Sequence, residues 1–366
     1  MDRLYLDYNA TAPMRPATRD IVMEVFGETG NAASVHAHGR TARKRVEDAR
    51  AQVAALAGVR AQQVIFNSGA TEANNTIMHG MDGRRVLVSA IEHLSVLESA
   101  PHAEKIPVTS DGVVDMDAFK RMLNDGMPPA LVSVMLVNSE TGAIQPVKEI
   151  AKLAKDAGAL MHTDAVQAMG RIDVNLKDLD VDMMSVSAHK IGGPQGVGAI
   201  IFRETQLLPK FMRGGTQEMH QRAGTQNVAG IAGFGHAAEA TLKDLKDYPR
   251  ITALRDDLEN RLRAISNDIV IHAGKAPRVG NTTNIGLPGI SAETQLMALD
   301  LDGVSVSAGS ACSAGSYKPS YVLAAMGADD EGARSALRIS LGWATTSADI
   351  DRFIAAWTTM RNRTHA

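Results

Sequence analysis

The sequence predicts an α/β protein: a mainly parallel central sheet sandwiched by helices, followed by a smaller α+β domain. Three observations carry that prediction. Short, nearly continuous apolar runs, at Val86-Leu87-Val88, Leu131 to Val137, Ala159 to His162 and Met183 to Val186, read as strands buried on both faces. Helical segments alternate with them. Val46 to Ala57 and Val147 to Ala157 repeat apolar residues every three or four positions, with Gly58 or Gly158 just past the end. After about Gly235 the rhythm changes: a long helix over Ile251 to Ile265 leads into short strands around Thr282 to Leu287 and Leu337 to Ser340, and a helix over Ile350 to Met360 follows. The expected division is a large domain over 13–240 and a small domain made of 1–12 with 241–366.

Composition narrows the function. The chain has 366 residues, more than one ordinary domain, and 45% of them are hydrophobic, enough for a sizeable core. Met (18 residues) reads mostly as core filler. Net charge is -3 with no basic block, which argues against a nucleic-acid partner. No apolar run reaches membrane-spanning length, and Met1-Asp2-Arg3-Leu4 lacks the pattern of a signal peptide. The single cysteine excludes an intrachain disulfide and fits a reducing cytoplasm. The expectation is a cytoplasmic protein that engages no membrane.

The chemistry gathers at strand ends, where ligands of open parallel sheets sit. Lys190, in Ser187-Ala188-His189-Lys190-Ile191-Gly192-Gly193-Pro194, lies between the apolar run Val181 to Val186 and a glycine-rich turn. A partly desolvated amine there has a lowered pKa and can form a Schiff base with a carbonyl cofactor; the plainer reading is a solvated strand end. Asp164 lies 26 residues upstream, at the end of another apolar strand. A carboxylate in such a place needs a cation, and the pyridinium nitrogen of pyridoxal phosphate is one. Further upstream, Asn67-Ser68-Gly69-Ala70-Thr71-Glu72-Ala73-Asn74-Asn75 follows the strand Val64-Ile65-Phe66. Small residues at that turn expose backbone N–H groups to a phosphate, unless Ser68 or Thr71 merely caps the helix.

Two further residues carry chemistry. His93 follows the strand Val86 to Val88, and a neutral imidazole there could exchange protons or simply fill space. Cys312 sits in Ser307-Ala308-Gly309-Ser310-Ala311-Cys312-Ser313-Ala314-Gly315-Ser316. Free cysteines are usually buried, yet nothing in this run is large enough to build a core, so it reads as a mobile loop carrying a reactive thiol.

These residues resemble the NifS-like cysteine desulfurases, within the class V aminotransferase family of pyridoxal phosphate enzymes. The resemblance runs almost end to end: Tyr5 to Pro13, Asn31 to Arg40, Ser68 to Glu72, Glu92-His93, Asn138 to Gly142, His162 to Gln167, Ser187 to Lys190, Arg222 to Asn227, Ser307 to Ser313 and Arg338 to Gly342. The lysine and aspartate motifs belong to the wider family, and Ser310-Ala311-Cys312 narrows it to desulfurases.

The resemblance implies a fold-type I transferase. Lys190 would carry pyridoxal 5'-phosphate, and Asp164 would face the ring nitrogen. His93 would stack on the ring, and Gln167 would reach its phenolic oxygen. Ala70, Thr71, Ser187 and His189 would hold the phosphate, with Thr225 reaching the phosphate of a neighbouring subunit in a homodimer. Arg338, Asn138 and Ser139 would bind the carboxylate of L-cysteine, and Cys312, in a mobile loop of the small domain, would take its sulfur as a persulfide. The acceptor would be a sulfur carrier or an iron–sulfur scaffold protein, for cluster assembly, nitrogenase maturation or tRNA thiolation. No metal site is implied, although Cys312 could transiently ligate a nascent cluster. Two departures stand out. Ser139 replaces the family's second asparagine and can supply only one of its two hydrogen bonds. Ala32-Ala33-Ser34 replaces the common Pro-Ser-Ser. A selenocysteine lyase or another class V aminotransferase is the nearer alternative, and a non-catalytic binding module of the same fold is the farther one.

Overall fold

A computed structural model describes residues 3–204, 207, 210–309 and 319–364. The chain opens with β1 (Leu4–Tyr5), then lays down β2 (Val64–Asn67), β3 (Val86–Ser89), β4 (Glu104–Ile106), β5 (Leu131–Ser133), β6 (Leu160–Asp164), β7 (Met183–Ser187) and β8 (Gly198–Phe202). Those last seven strands form one sheet in the order β2-β8-β7-β6-β5-β3-β4. The neighbours from β7 through β4 pair in parallel, and β8 runs antiparallel to both β7 and β2. The sheet is mainly parallel, as the apolar runs predict.

Helices cover the sheet. Ala37–Leu56 begins nine residues before the expected start, because His36 caps it by accepting from the Gly39 N–H (3.3 Å). Its polar first turns hide the period, although Ala42, Val46, Ala49 and Val53 all face the core. It packs with Val228–Asp244 against the sheet, where Phe66 and Phe234 meet edge to face at 6.1 Å. Truncating a buried phenylalanine of this kind costs about 3–5 kcal/mol.

The strand expected over Leu131 to Val137 stops at Ser133. Val134 and Leu136 still donate to β6, at His162 and Asp164 (3.1 and 2.9 Å). The Val134 carbonyl, however, accepts from the Thr163 hydroxyl (2.7 Å) rather than from a backbone N–H, so the ladder ends there.

A second core gathers Leu4, Leu6, Leu258, Leu262, Leu337, Ile339, Phe353 and Trp357. It lies against an antiparallel sheet made of β9 (Val270–Ile271), β10 (Thr282–Gly286), β12 (Ser307–Ala308) and β13 (Ala336–Ser340), in the order β12-β13-β10-β9. β1 joins this region by pairing in parallel with β11 (Val304–Ser305). The N-terminal segment is thereby carried across to residues 300 positions later in the sequence. No helix among the described residues is long and apolar enough to cross a membrane.

Candidate active site

The parallel strands deliver the chemistry at their carboxyl ends. Asp164 is the last residue of β6. β7 ends at Ser187, a single tight turn (188–190) follows, and Gly192 at φ 82° turns the chain away. That geometry leaves Lys190 just past the carboxyl end of β7, inside the sheet rather than at its edge.

From β2, Gly69 opens the helix Ala70–His79 at φ 151°, and no side chain caps it. Neither Ser68 nor Thr71 takes the capping role. The first N–H groups of this helix therefore have no partner of their own, and they carry the positive end of the helix dipole. A methyl group on Gly198 would come within 2.7 Å of the Gly69 Cα, so the neighbouring strand has to be bare there.

One cavity of about 490 Å³ brings the pieces together. Ala70, Thr71, His93, Ser139, Asp164, Gln167, Ser187, His189 and Lys190 all line it. A second cavity, of about 500 Å³, lies on the other side of Lys190 among Arg15, Arg171, Tyr248 and Trp343. It holds neither the carboxylate nor the helix terminus, so the first is the site.

The electrostatics suit carbonyl chemistry. Lys190 Nζ donates to the carbonyls of Asn9 (2.5 Å) and Ala10 (2.7 Å). Burial, reinforced by Arg338 and Arg171, pulls its pKa from 10.5 down to about 7. Asp164 is buried, and no cation lies within ion-pairing distance of it among the described residues. Its oxygens accept from the Val166 N–H (3.0 Å) and from Asn74 Nδ2 (2.8 Å). His189 is driven to about 4 by burial and by Lys190, so it is neutral.

Gln167 donates from Nε2 to the Asn9 carbonyl (2.9 Å), and its amide oxygen is held by Arg171. Asn9, Asn74, Ser95 and Arg171 escaped the sequence reading. Asn74 and Asn9 carried a signal, being inside the phosphate-turn motif and the Tyr5 to Pro13 segment.

Three expected residues do not line the cavity. Asn138 is fully buried, and its side-chain oxygen accepts from the N–H groups of Glu140 and Thr141 (both 3.0 Å). It shapes the turn that presents Ser139 rather than facing a ligand. Arg338 donates to the Ser139 carbonyl (3.2 Å) and to Asp7 (2.8 Å), while its Nε is buried without a partner. Thr225 lines a separate recess of about 230 Å³, which shares Ser68 and Gly196 with the main cavity. Cys312 lies outside the described residues.

A strand-end lysine, a buried strand-end aspartate and an open helix terminus around one cavity are the parts of a pyridoxal phosphate site. The family model for class V aminotransferases matches residues 4–353. The chain belongs to the class V aminotransferase family. It is 38% identical to a protein named cysteine desulfurase IscS from Dictyoglomus turgidum, over 95% of this chain and 92% of the relative. The NifS-like protein of Rickettsia africae superposes with a TM-score of 0.91 at 34% identity, covering 98% of this chain and 99% of that one. A structure described as SspA in complex with cysteine matches with a TM-score of 0.80 at 26% identity, over 92% and 98% of the two chains.

Members of the class V family depend on pyridoxal phosphate, and the residues present fit it. The uncapped helix terminus suits a phosphate, and Asp164 lacks the cation that a pyridinium would supply. A consequence can be measured in this class V protein stripped of its cofactor. Only the neutral amine attacks an aldehyde, and the neutral fraction of Lys190 grows as pH rises through about 7. Capture of pyridoxal phosphate, followed by stopped-flow absorbance, is expected to accelerate up to about that pH and then level off. A rate still climbing toward the ordinary lysine value of about 10.4 would contradict the depressed pKa.

Proposed function

We propose that this protein is a cysteine desulfurase, converting L-cysteine to L-alanine and leaving the sulfur as a persulfide on Cys312. The single observation that carries the reading is one cavity joining the Lys190 amine, the Asp164 carboxylate and the open helix terminus at Ala70 and Thr71. The relatives named cysteine desulfurase support the substrate.

Pyridoxal phosphate, when bound, supplies an aldehyde that takes up an amine and an electron-withdrawing ring that stabilises a carbanion. In our reading, Ala70, Thr71, Ser187 and His189 hold its phosphate, Asp164 its ring nitrogen and Gln167 its phenolic oxygen. Arg338 binds the carboxylate of L-cysteine, with its unpartnered Nε as a spare donor. Lys190 Nζ, partly neutral near pH 7, takes the α-proton. The Cys312 thiolate attacks the substrate's sulfur: a sulfur–sulfur bond forms, the carbon–sulfur bond breaks, and its electron pair stays on the carbon, which is then protonated.

The framework supports delivery of that thiol. β12 pairs Ser307 with Arg338, and Arg338 touches the cavity wall at Ser139. Cys312 is three positions beyond Gly309 in the sequence. The separate core of the C-terminal region and β1 supports taking 13–240 as the cofactor-holding domain and 1–12 with 241–366 as the smaller one. The sulfur would pass to a carrier or an iron–sulfur scaffold in the cytoplasm.

The test is direct. Purified protein given L-cysteine and a thiol reductant should release alanine and sulfide in equal amounts. A strong preference for selenocysteine, or transamination of a keto acid instead, would overturn the reading.

The active unit is proposed to be a homodimer. Thr225 faces a recess beside the phosphate end of the cavity rather than the cavity itself. Light scattering is expected to give about twice the 38.9 kDa chain mass. A fully active monomer would remove the role assigned to Thr225.

A further inference from the structure

His93 lines the active-site cavity and caps the short helix Leu94–Leu97. Two donors converge on one of its ring nitrogens. The Ser95 backbone N–H points at Nδ1 (3.1 Å), and the Ser95 hydroxyl lies 2.7 Å from the same atom. A backbone N–H can only donate, so Nδ1 carries a lone pair and no hydrogen.

The hydroxyl's direction is fixed from its other side. Asn74 Nδ2 donates one hydrogen to Ser95 Oγ and the other to Asp164 Oδ2, both at 2.8 Å. Turning the Asn74 amide over would aim its oxygen at the Asp164 carboxylate, which can only repel it. With Ser95 Oγ already accepting from Asn74, its own hydrogen is free for His93. The chain therefore runs in one direction, from Asn74, anchored on Asp164, through Ser95 to His93.

We propose that Ser95, oriented by Asn74 and Asp164, is a positioning residue that locks neutral His93 into the tautomer with its proton on Nε2. Nε2 makes no hydrogen bond among the described residues, and it is the polar atom His93 has left for a ligand. In this tautomer the ring donates a hydrogen bond into the cavity and has no lone pair there to accept a proton. Removal of the α-proton then falls to Lys190, and His93 is left to donate from Nε2 to whatever acceptor occupies the cavity.

The surroundings favour the neutral ring. Burial lowers the His93 pKa, Asp164 on β6 opposes that, and Lys190 beyond β7 adds to it. Glu92, its neighbour, is fully buried, and burial and Asp164 raise its carboxyl pKa well above the usual range.

The inference deepens the desulfurase reading and rests on His93 acting in that site, but its first test does not need the reaction. Nitrogen NMR of the purified full-length protein with labelled histidine, with His93 assigned by its loss in His93→Gln, reports which nitrogen is protonated. Wild type is expected to show a bare Nδ1 and a protonated Nε2. In Ser95→Ala the hydroxyl donor is gone, and the midpoint of the His93 titration should rise by about 0.5 to 1. Ser95→Thr, which keeps the hydroxyl, should return it to the wild-type value.

In desulfurase assays Ser95→Ala should lower kcat several-fold with KM little changed, and move the acidic limb of the pH profile upward. A protonated Nδ1 in wild type, or an unchanged midpoint in Ser95→Ala, overturns the proposal whether or not the protein is a desulfurase. The expected tautomer without any cysteine-dependent alanine release would leave the lock standing and overturn the desulfurase reading instead.

Discussion

Lys190→Ala is expected to abolish covalent attachment of pyridoxal phosphate and to lower alanine release by at least about 10³-fold, the scale of losing a positioned acid–base group together with the attachment point. The reason is geometric as well as chemical. Lys190 is the amine past the carboxyl end of β7 in the cavity that also holds Asp164 and the open helix terminus. Its depressed pKa leaves a large neutral fraction near pH 7. Lys190→Arg is the informative companion, since a guanidinium keeps the charge but never loses its proton. If charge were all that mattered, the arginine variant would retain activity; the mechanism requires that it fail as completely as alanine. Absorbance of the purified variant, borohydride trapping with peptide mapping, and alanine assays check both. Labelling of any other lysine would refute the assignment.

Cys312→Ser is expected to separate the two halves of the reaction. Lys190 and Asp164 stand on strand ends, independent of Cys312, so binding of cofactor and of L-cysteine should persist, with an absorbance change on adding the amino acid. Alanine release should fall by about 10²-fold or more, because a serine hydroxyl is far less nucleophilic toward sulfur than a thiolate. Wild-type protein incubated with L-cysteine, without reductant, should gain the mass of one sulfur on the peptide containing Cys312. Normal alanine release by the serine variant would mean that sulfur leaves by direct elimination, and the persulfide step would have to be abandoned.

Much of this site could be read before the fold was seen. Asp164 and Lys190 end apolar runs, and a strand end in a parallel sheet is where a functional group meets a ligand. The small residues at Gly69, Ala70 and Thr71 mark a strand-to-helix turn. Sequence also offered Ser68 or Thr71 as the cap of that helix. The choice went the other way because Glu72 turns back to accept from the Ser68 N–H (2.8 Å), while the cap position falls to Gly69. Asn138, read as a substrate-binding residue, has its side-chain oxygen engaged by its own turn, a contact that no local pattern announced.

What sequence alone determined was local: the period of several helices, the apolar strands, the glycines at forced turns, and which residues stand at strand ends. Those follow from backbone sterics and side-chain alternation, which act over a few residues. Tertiary structure decided the rest. Arg338 meets Ser139 and Asp7 only because β13 lies beside the N-terminal segment, 331 residues away in the case of Asp7. The carbonyls of Asn9 and Ala10 reach Lys190 across 181 and 180 residues. Asn74, Ser95 and Asp164 come from three different elements, and nothing in their spacing links them. Hydrogen bonds and desolvation depend on which surfaces pack together, and that is settled by the burial of two whole cores rather than by any short stretch of chain.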